Sequence, residues 1–508
     1  MKQFLTILIL VSLLFSIFGA QLIAPVEATI TWTVDDDGSA DFSTIEGAID
    51  AASDGDTIIV NEGTYAEGQI SVYKSVSLKA NGTVIVDGLE VGHVFFVTAN
   101  NVTIEGFTVR NSKTGWGYSG IRLQNVKNCV VSRNTVTNNT NGIGVGWPGY
   151  SEIRENNATN NYIGIGLYSA SLSIIEENTL RNNYHGIRLY HSCNNIVRKN
   201  VATENGILPG QLGLGIYLEG SSSNSIEGNT LRQNRWTGIL VYPGSDGNII
   251  RRNNISRSFN GIYLMYSDDN LIYENAINLT SWSGLKLRPG CVNNTFVGNT
   301  VRNMSATGPG IFIQSSNSNV FTDNLIVDVP QWVYSLDSSN NVLYHNSFIN
   351  AYTPYGISKI RIVNSANVWD SGYPSGGNYW DDHEGPDDYA GPDQNEAGSD
   401  GIVDVPYIID EDNRDRYALT EPWEPPAMTR FLIRTIGSWE LSKGTEKCLI
   451  QKLEDAFHLL NQGNENGAIH KLTDFIIQVE TLRGKKLTEE QANYLISEAQ
   501  KIIDLIQG

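Results

Sequence analysis

The chain has 508 residues and a formal charge of −20, a balance that disfavours nucleic acid and anionic membrane surfaces as partners. Its four cysteines (Cys129, Cys193, Cys291 and Cys448) are far apart, with no CxxC or CxH pattern, which argues against a zinc site and against a disulfide-built scaffold. The charge is also uneven: residues 381–415 hold thirteen Asp or Glu and one Arg, or −12 of the −20.

The N-terminus joins Met1-Lys2 to an apolar run from Phe4 to Phe18 and then reads Val26-Glu27-Ala28. A basic start, a short apolar run and small residues before the cleavage point predict a secretory signal peptide over residues 1–28. The run is short for a spanning helix, and no second stretch of spanning length follows. The mature chain is therefore expected to be secreted or cell-surface associated, with no transmembrane segment. Residues 29–100 read as an N-terminal cap and the first coils of a repeat. Ile45, Ala48, Ile49 and Ala52 have helical spacing and precede the buried-type strand Thr57-Ile58-Ile59-Val60; such a helix would plug an open end.

Over residues 101–375 the phrase N-x-[IVL]-x-x-N-x-[ILV] recurs. Its second Asn falls at Asn134, Asn156, Asn178, Asn200, Asn229, Asn253, Asn275, Asn299, Asn324 and Asn346, at spacings of 22, 22, 22, 29, 24, 22, 24, 25 and 22. A G-[IL]-x-[LVI] phrase follows most of them, from Gly120 and Gly142 to Gly310. Each coil thus has three short apolar runs separated by Asn/Gly corners, and no single coil can bury its own inner face. Stacking coil on coil makes three parallel sheets around one core. The predicted fold class is all-β, a right-handed parallel β-helix of about ten or more coils, followed by a small C-terminal three-helix domain. Asn at constant phase predicts a corner ladder in which each amide bonds the next, with Asn itself in the left-handed conformation it tolerates. The spacing of 29 marks an insertion near Gly206–Gly213 that must bulge out. The opening, Phe42-Ser43-Thr44-Ile45 through Gly55-Asp56-Thr57-Ile58 to Gly63-Thr64-Tyr65, resembles that of pectate-lyase-like proteins and of the NosD-like family of carbohydrate-binding and sugar-hydrolase β-helices. The resemblance implies a pectin-lyase-like fold.

Residues 376–425 form an acidic segment. Closely spaced carboxylates among Gly and Asn suit a hard cation such as calcium, with Asp387, Asp393, Asn395, Asp400 and Asp404 as candidate ligands. The flanks are not helical and no Glu stands at the twelfth position, so this is no EF-hand. Asp400-Gly401-Ile402-Val403-Asp404, with Gly377-Asn378-Tyr379-Trp380 before it and Pro406-Tyr407 after it, resembles a cassette that often ends NosD-like β-helices. From residue 429 to 508 three amphipathic patterns follow: Leu449/Leu453/Ala456/Leu460, Ala468/Leu472/Phe475/Val479 and Ala492/Leu495/Ala499/Ile503. The last opens on the capping phrase Thr488-Glu489-Glu490-Gln491. This stretch resembles the FIMAH domain, which implies an accessory or adhesive role and brings no catalytic motif.

Side chains alternate along each Gly-initiated strand, so positions two and four after the Gly face outward. Arg122, Arg188, Tyr217, Tyr263 and Lys286 fall on the first row, and Tyr168, Tyr190, Glu219, Tyr242 and Arg288 on the second. Tyr162, Tyr184, Trp236 and Trp282 stand two before the Gly. Aromatic rows with interleaved charges suit a polysaccharide, whose rings stack on aromatics and whose uronate carboxylates pair with Arg or Lys. Stacked tyrosines also stabilise a parallel sheet with no ligand at all.

Catalysis is harder to build. Hydrolysis needs two positioned carboxylates, and Glu219 is the one acid on these rows. A uronate lyase or C5-epimerase needs a base, a proton donor and a cation, for which His185, Arg188, Tyr190 and His191 are the candidates. The NosD association with copper does not carry over: the seven histidines are scattered, there are four methionines, and His185 and His191 are too far apart along a strand to share an ion. Eight N-x-[ST] sequons, at Asn81, Asn101, Asn138, Asn157, Asn254, Asn278, Asn293 and Asn303, make outward corners candidate glycosylation sites. The reading is a secreted or cell-surface, non-catalytic polysaccharide-binding protein, set against a uronate lyase or epimerase and against a structural surface protein with no ligand.

Overall fold

A computed structural model describes residues 29–147, 149–206, 212–305 and 307–507; the signal peptide read in residues 1–28 lies outside them. The chain winds into a parallel β-solenoid. One face is a 13-stranded parallel sheet running from Ile70–Val72 to Ile360–Val363, termed here the front sheet. Most of its strands have six residues, such as Asn141–Gly146 and His185–Tyr190. The other two faces are stacks of mostly three-residue strands, joined into one sheet through the long strand Ser77–Asp87, which pairs with both Thr103–Glu105 and Thr108–Arg110. Three front strands, Ile70–Val72, Phe95–Val97 and Ser119–Gln124, precede Asn134, and Ile360–Val363 follows Asn346.

Each short strand places one apolar residue inward, as Val136 between Thr135 and Thr137. The inward residues form one core from Val34 to Ala418. Helix α1, Ile45–Ala51, is capped by Thr44 Oγ1 accepting from Gly47 N, and buries Ile45, Ala48 and Ile49 against the first coil. The recurring Gly of the front strands answers to space. A Cβ on Gly142 would meet Gly164 O at 2.6 Å and Val136 Cγ2 at 2.7 Å.

The expected asparagine ladder is present, and two more run beside it. From Asn134 to Asn378 each backbone N–H donates to the Oδ1 of the ladder Asn one coil on, at 2.9–3.1 Å. A second links Asn139, Asn161, Asn183, Asn205 and Asn234. A third runs from Asn195 to Asn367. The left-handed residue is not the ladder Asn but the one before it: Arg133, Glu155, Glu177 and Lys199 have φ of 57°, 56°, 57° and 54°. The ladder Asn braces that turn, as Asn156 Nδ2 donates back to Arg154 O across Glu155. Such backbone costs a non-Gly residue about 1–2 kcal/mol, which these buried bonds offset. At the insertion, Gly206 and Gly213 lie against each other, forming a closed neck; residues 207–211 lie outside the described ones.

The acidic segment folds back over the last coil. Trp380 stacks on Phe348 at 4.4 Å and on Tyr407 at 4.5 Å. Asn413 accepts from Asn367 N and Trp369 Nε1, ending the third ladder. The C-terminal module has four helices, not the three expected: α2 (Pro425–Ser438), α3 (Lys443–Asn461), α4 (Glu465–Leu482) and α5 (Glu489–Gln507). Helix α2 starts on Pro425-Pro426, where the missing N–H groups have no partner to lose, and buries Met428, Leu432 and Ile436 in the module's own core. Its Arg434 donates to Pro374 O, Asp400 O and Ser375 O, which ties the module to the acidic segment. No described helix is long and apolar enough to cross a membrane.

Candidate functional site

Parallel in-register pairing sets Arg188 opposite Tyr217, and Tyr190 opposite both Tyr168 and Glu219. Arg188 is the centre of the resulting cluster. Its Nη2 donates to Glu219 Oε2 at 2.7 Å, and its guanidinium lies 5.1, 5.0 and 5.4 Å from the rings of Trp116, Tyr190 and Tyr217. Trp116 stands edge-on to Tyr168 and Tyr190 at 6.4 and 6.3 Å and is 69% exposed. Three neighbouring positions are glycines, and longer side chains fill the space. Arg122 lies across Gly144 and Gly146, and a Cβ on Gly166 would meet Tyr168 Oη at 2.7 Å. Arg122 donates to Gln124 Oε1, while Tyr168 Oη donates to Asn141 Oδ1 at 2.7 Å. Trp116, Asn141, Tyr162 and Tyr168 line a narrow cleft here.

The four candidate catalytic residues lie along one strand and its corner, and the Tyr190 ring is 4.3 Å from that of His191. Arg188 and Tyr190 meet, as above. His185 lies beneath Tyr184 at 4.3 Å and beside Tyr217 at 5.7 Å; burial and the Arg188 charge hold its pKa down at about 3. It is a neutral imidazole with a buried Nδ1 that has no partner, so it cannot act as an acid near neutral pH. His191 sits at the corner after the strand, at φ 49°, with its ring over Gly220. Burial raises the Tyr168 phenol to about 12 and the Tyr217 phenol further.

The other aromatics divide into exposed and covered. Tyr162 stacks on Tyr184 at 4.7 Å, and Phe259 on Trp282 at 6.0 Å. Tyr242 lies 6.2 Å from Tyr217. Tyr263 is 4% exposed, packed with Leu214 and Leu240 and edged by Trp236 at 5.9 Å, so its ring is part of an outer packing layer. Lys286 is in register with Tyr263, four coils beyond Arg188, and Arg288 is opposite Met265. Trp116 is the residue that sequence reasoning missed. It belongs to the 111–118 segment between strands, outside the repeat's phase, and periodicity gives no signal for it.

The candidate calcium ligands shape the acidic segment's turns. Asp387 accepts from Ser399 Oγ, Asp400 N and Gly401 N. Asp400 accepts from Gly391 N, Gln394 Nε2 and Ile402 N. Asp404 accepts from Asp388 N and Tyr389 N. Asp393 and Asn395 are exposed between the short strands Tyr389–Ala390 and Glu396–Ala397. Among the described residues no three His, Cys, Asp or Glu side chains are grouped to hold a metal ion. The eight sequon asparagines all lie on the two short-strand faces or their corners; seven are exposed and Asn278 is half-buried.

Comparison with known proteins agrees with the repeat. The family described as "Periplasmic copper-binding protein (NosD)" matches residues 33–207, 152–284 and 189–385, and the FIMAH domain matches residues 426–504. A cell surface glycoprotein of Methanothermus fervidus is 31% identical over 388 residues, covering 75% of this chain and 56% of its own length; the chain spans little more than half of that relative. The receptor binding domain of the Siphovirus 9NA tailspike is similar with a TM-score of 0.49 and 10% identity, over 70% of this chain and 79% of that one. The A-module of the mannuronan C-5 epimerase AlgE6 of Azotobacter vinelandii has a TM-score of 0.43 and 14% identity, over 64% and 94%. Among the described residues the copper in the family's description finds no donor set: His185, whose buried Nδ1 has no partner, is ringed by Tyr162, Tyr184, Tyr217 and Arg188. From residue 33 to 385 the chain belongs to the NosD family, and it carries a FIMAH domain at its C-terminus.

Proposed function

We propose that this protein is a cell-surface, non-catalytic polysaccharide-binding protein whose ligand lies along the front sheet. The observation that carries the reading is Trp116, largely exposed and standing edge-on to Tyr168 and Tyr190 above the Arg188–Glu219 pair. Exposed aromatic faces beside fixed polar groups are what sugar rings stack on and hydrogen-bond to. The kinship with a cell surface glycoprotein supports the location. A single front-sheet acid, paired to Arg188, supports binding over hydrolysis, which needs two carboxylates.

A glycan array with the mature chain tests it: hits lost in Trp116→Ala and Tyr190→Ala are expected. Release of unsaturated uronate from pectin or alginate would replace binding with lyase chemistry. Stacked Tyr162 and Tyr184 also favour a structural role for their own row, and array hits indifferent to Trp116 and Tyr190 would extend that role to the whole face. Calcium is retained as a proposal for the acidic segment on its charge density, since its carboxylates already accept N–H donors. Added Ca²⁺ then raises the melting temperature and a chelator lowers it; a transition that ignores both removes the ion from the account.

A further inference from the structure

The cations of the solenoid fall into two populations. On the short-strand faces and corners many pair with a carboxylate one coil away: Arg198 with Glu176, Arg251 with Glu227 and Arg252 with Glu274, each at 2.7 Å. On the front sheet Arg188 has Glu219. Lys286 and Arg288, four coils on, have no carboxylate partner among the described residues, and the outward positions of the strands around them, Asn260–Met265 and Pro309–Gln314, contain no acid.

Lys286 is the more extreme of the two. It is 6% exposed, with Nζ 4.6 Å from the Tyr263 ring centroid and 5.7 Å from that of Phe312. Its polar contact is Asn260 Oδ1 at 3.5 Å, an oxygen that already accepts from Ser283 Oγ at 2.9 Å. Arg288 leaves a buried Nε without a partner. A buried cation beside a second one and without a counter-charge is costly, whereas Arg188 on the same sheet is met by Glu219.

We infer that the front-sheet ligand is an acidic polysaccharide, and that Lys286 and Arg288 together receive one of its carboxylate or sulfate groups. This rests on the reading of the front sheet as a glycan-binding face. The ligand's anion plays at Lys286 and Arg288 the part that Glu219 plays at Arg188. Those two points are roughly 19 Å apart along the axis, so one extended chain touches both. A polyanion is repelled by the chain's charge of −20, and this face is the local exception. Burial and the Arg288 charge bring Lys286 down to about 8. The titratable groups facing it are Arg288 on its own strand and Tyr263 on the preceding one, whose phenol burial raises; the following strand has none. Affinity for acidic polymers therefore falls as the pH rises from 7 to 9.

The test is affinity electrophoresis of the mature chain in polygalacturonate, dextran sulfate and neutral dextran. Expected is at least tenfold tighter binding of one or both acidic polymers than of dextran. Lys286→Met with Arg288→Gln should bring that binding down to the dextran level at a melting temperature no lower than the parent's, since Met keeps the stem packed between Tyr263 and Phe312 and the buried charge is gone. Lys286→Arg should retain the preference, and Lys199→Gln, at a corner, should leave it untouched. Equal affinity for dextran and the acidic polymers, or full acidic affinity in the double variant, overturns the inference. If the array finds only neutral glycans, lost in Trp116→Ala, the inference fails and the binding reading stands. If no glycan binds, both fall.

Discussion

Asp415 occupies the place of the next asparagine in the ladder that begins at Asn134: its Oδ2 accepts the backbone N–H of Asn378 at 2.7 Å and the Asn378 Nδ2 at 3.2 Å. Trp380 Nε1 donates to the same oxygen at 3.0 Å, and Tyr417 N to the other at 3.2 Å. A carboxylate with four N–H donors thus ends a file of amides, and the acidic segment is stitched to the last coil by what the ladder left unpaired.

Burial outweighs those donors and pushes the Asp415 carboxyl from the ordinary 3.8 up to about 7. Between those values the folded chain holds a proton that the unfolded chain has released, so Asp415 makes stability fall as the pH rises from about 4 to about 7 and adds no further slope above. Asp415→Asn keeps the ladder oxygen and cannot titrate. Its melting temperature relative to the parent should climb across that window and level off. A difference that does not vary with pH contradicts the assignment. Asp415→Ala, which strands the Trp380 and Asn378 donors, should be destabilising by about 3 kcal/mol at neutral pH.

A mid-ladder truncation should be as severe. Asn229 accepts from Asn200 N and donates to Val197 O and Asn253 Oδ1, all buried. Asn229→Ala should cost about 3 kcal/mol, whereas Asn254→Ala, exposed one coil on, should stay within about 0.5 kcal/mol. Denaturant unfolding of the pair checks it.

Arg188 is 9% exposed and its charge is met by Glu219. Glu219→Gln should lower stability by about 1–3 kcal/mol, and combining it with Arg188→Met should recover much of the loss, because a partly buried pair costs most when one partner is removed. Additive losses in that double-mutant cycle would mean the two groups are not coupled.

Any N-glycans should map to the sequon asparagines of the short-strand faces, such as Asn101, Asn157 and Asn254, leaving the front strands bare. Peptide mapping of a glycosylated preparation locates them, and enzymatic deglycosylation should leave front-sheet binding unchanged. Binding that depends on those glycans would move the ligand off the front sheet.

The solenoid was legible because its constraint is local and repeated: an inward residue flanked by outward ones, an Asn at fixed phase, and a Gly where Val136 and Gly164 leave no room. What was not legible depends on distance or packing. Asn378 and Asp415 are 37 residues apart, with no shared motif. Helix α2, Pro425–Ser438, carries none of the three amphipathic patterns read in residues 429–508, because its apolar side is defined by helices further on. Alternation predicted that Tyr263 and Lys286 face outward, and they do; that Leu214 and Leu240 crowd Tyr263 into a covered layer, and that Tyr263 and Phe312 flank Lys286, is a property of the stacked coils. Trp116 lies off the period altogether.

The most direct measurement is isothermal titration of the best array ligand into the protein and into its Trp116→Ala variant. The variant should bind at least tenfold more weakly, about 1.4 kcal/mol or more, with the same melting temperature as the parent. Equal affinity in the two proteins would contradict the front sheet as the binding face.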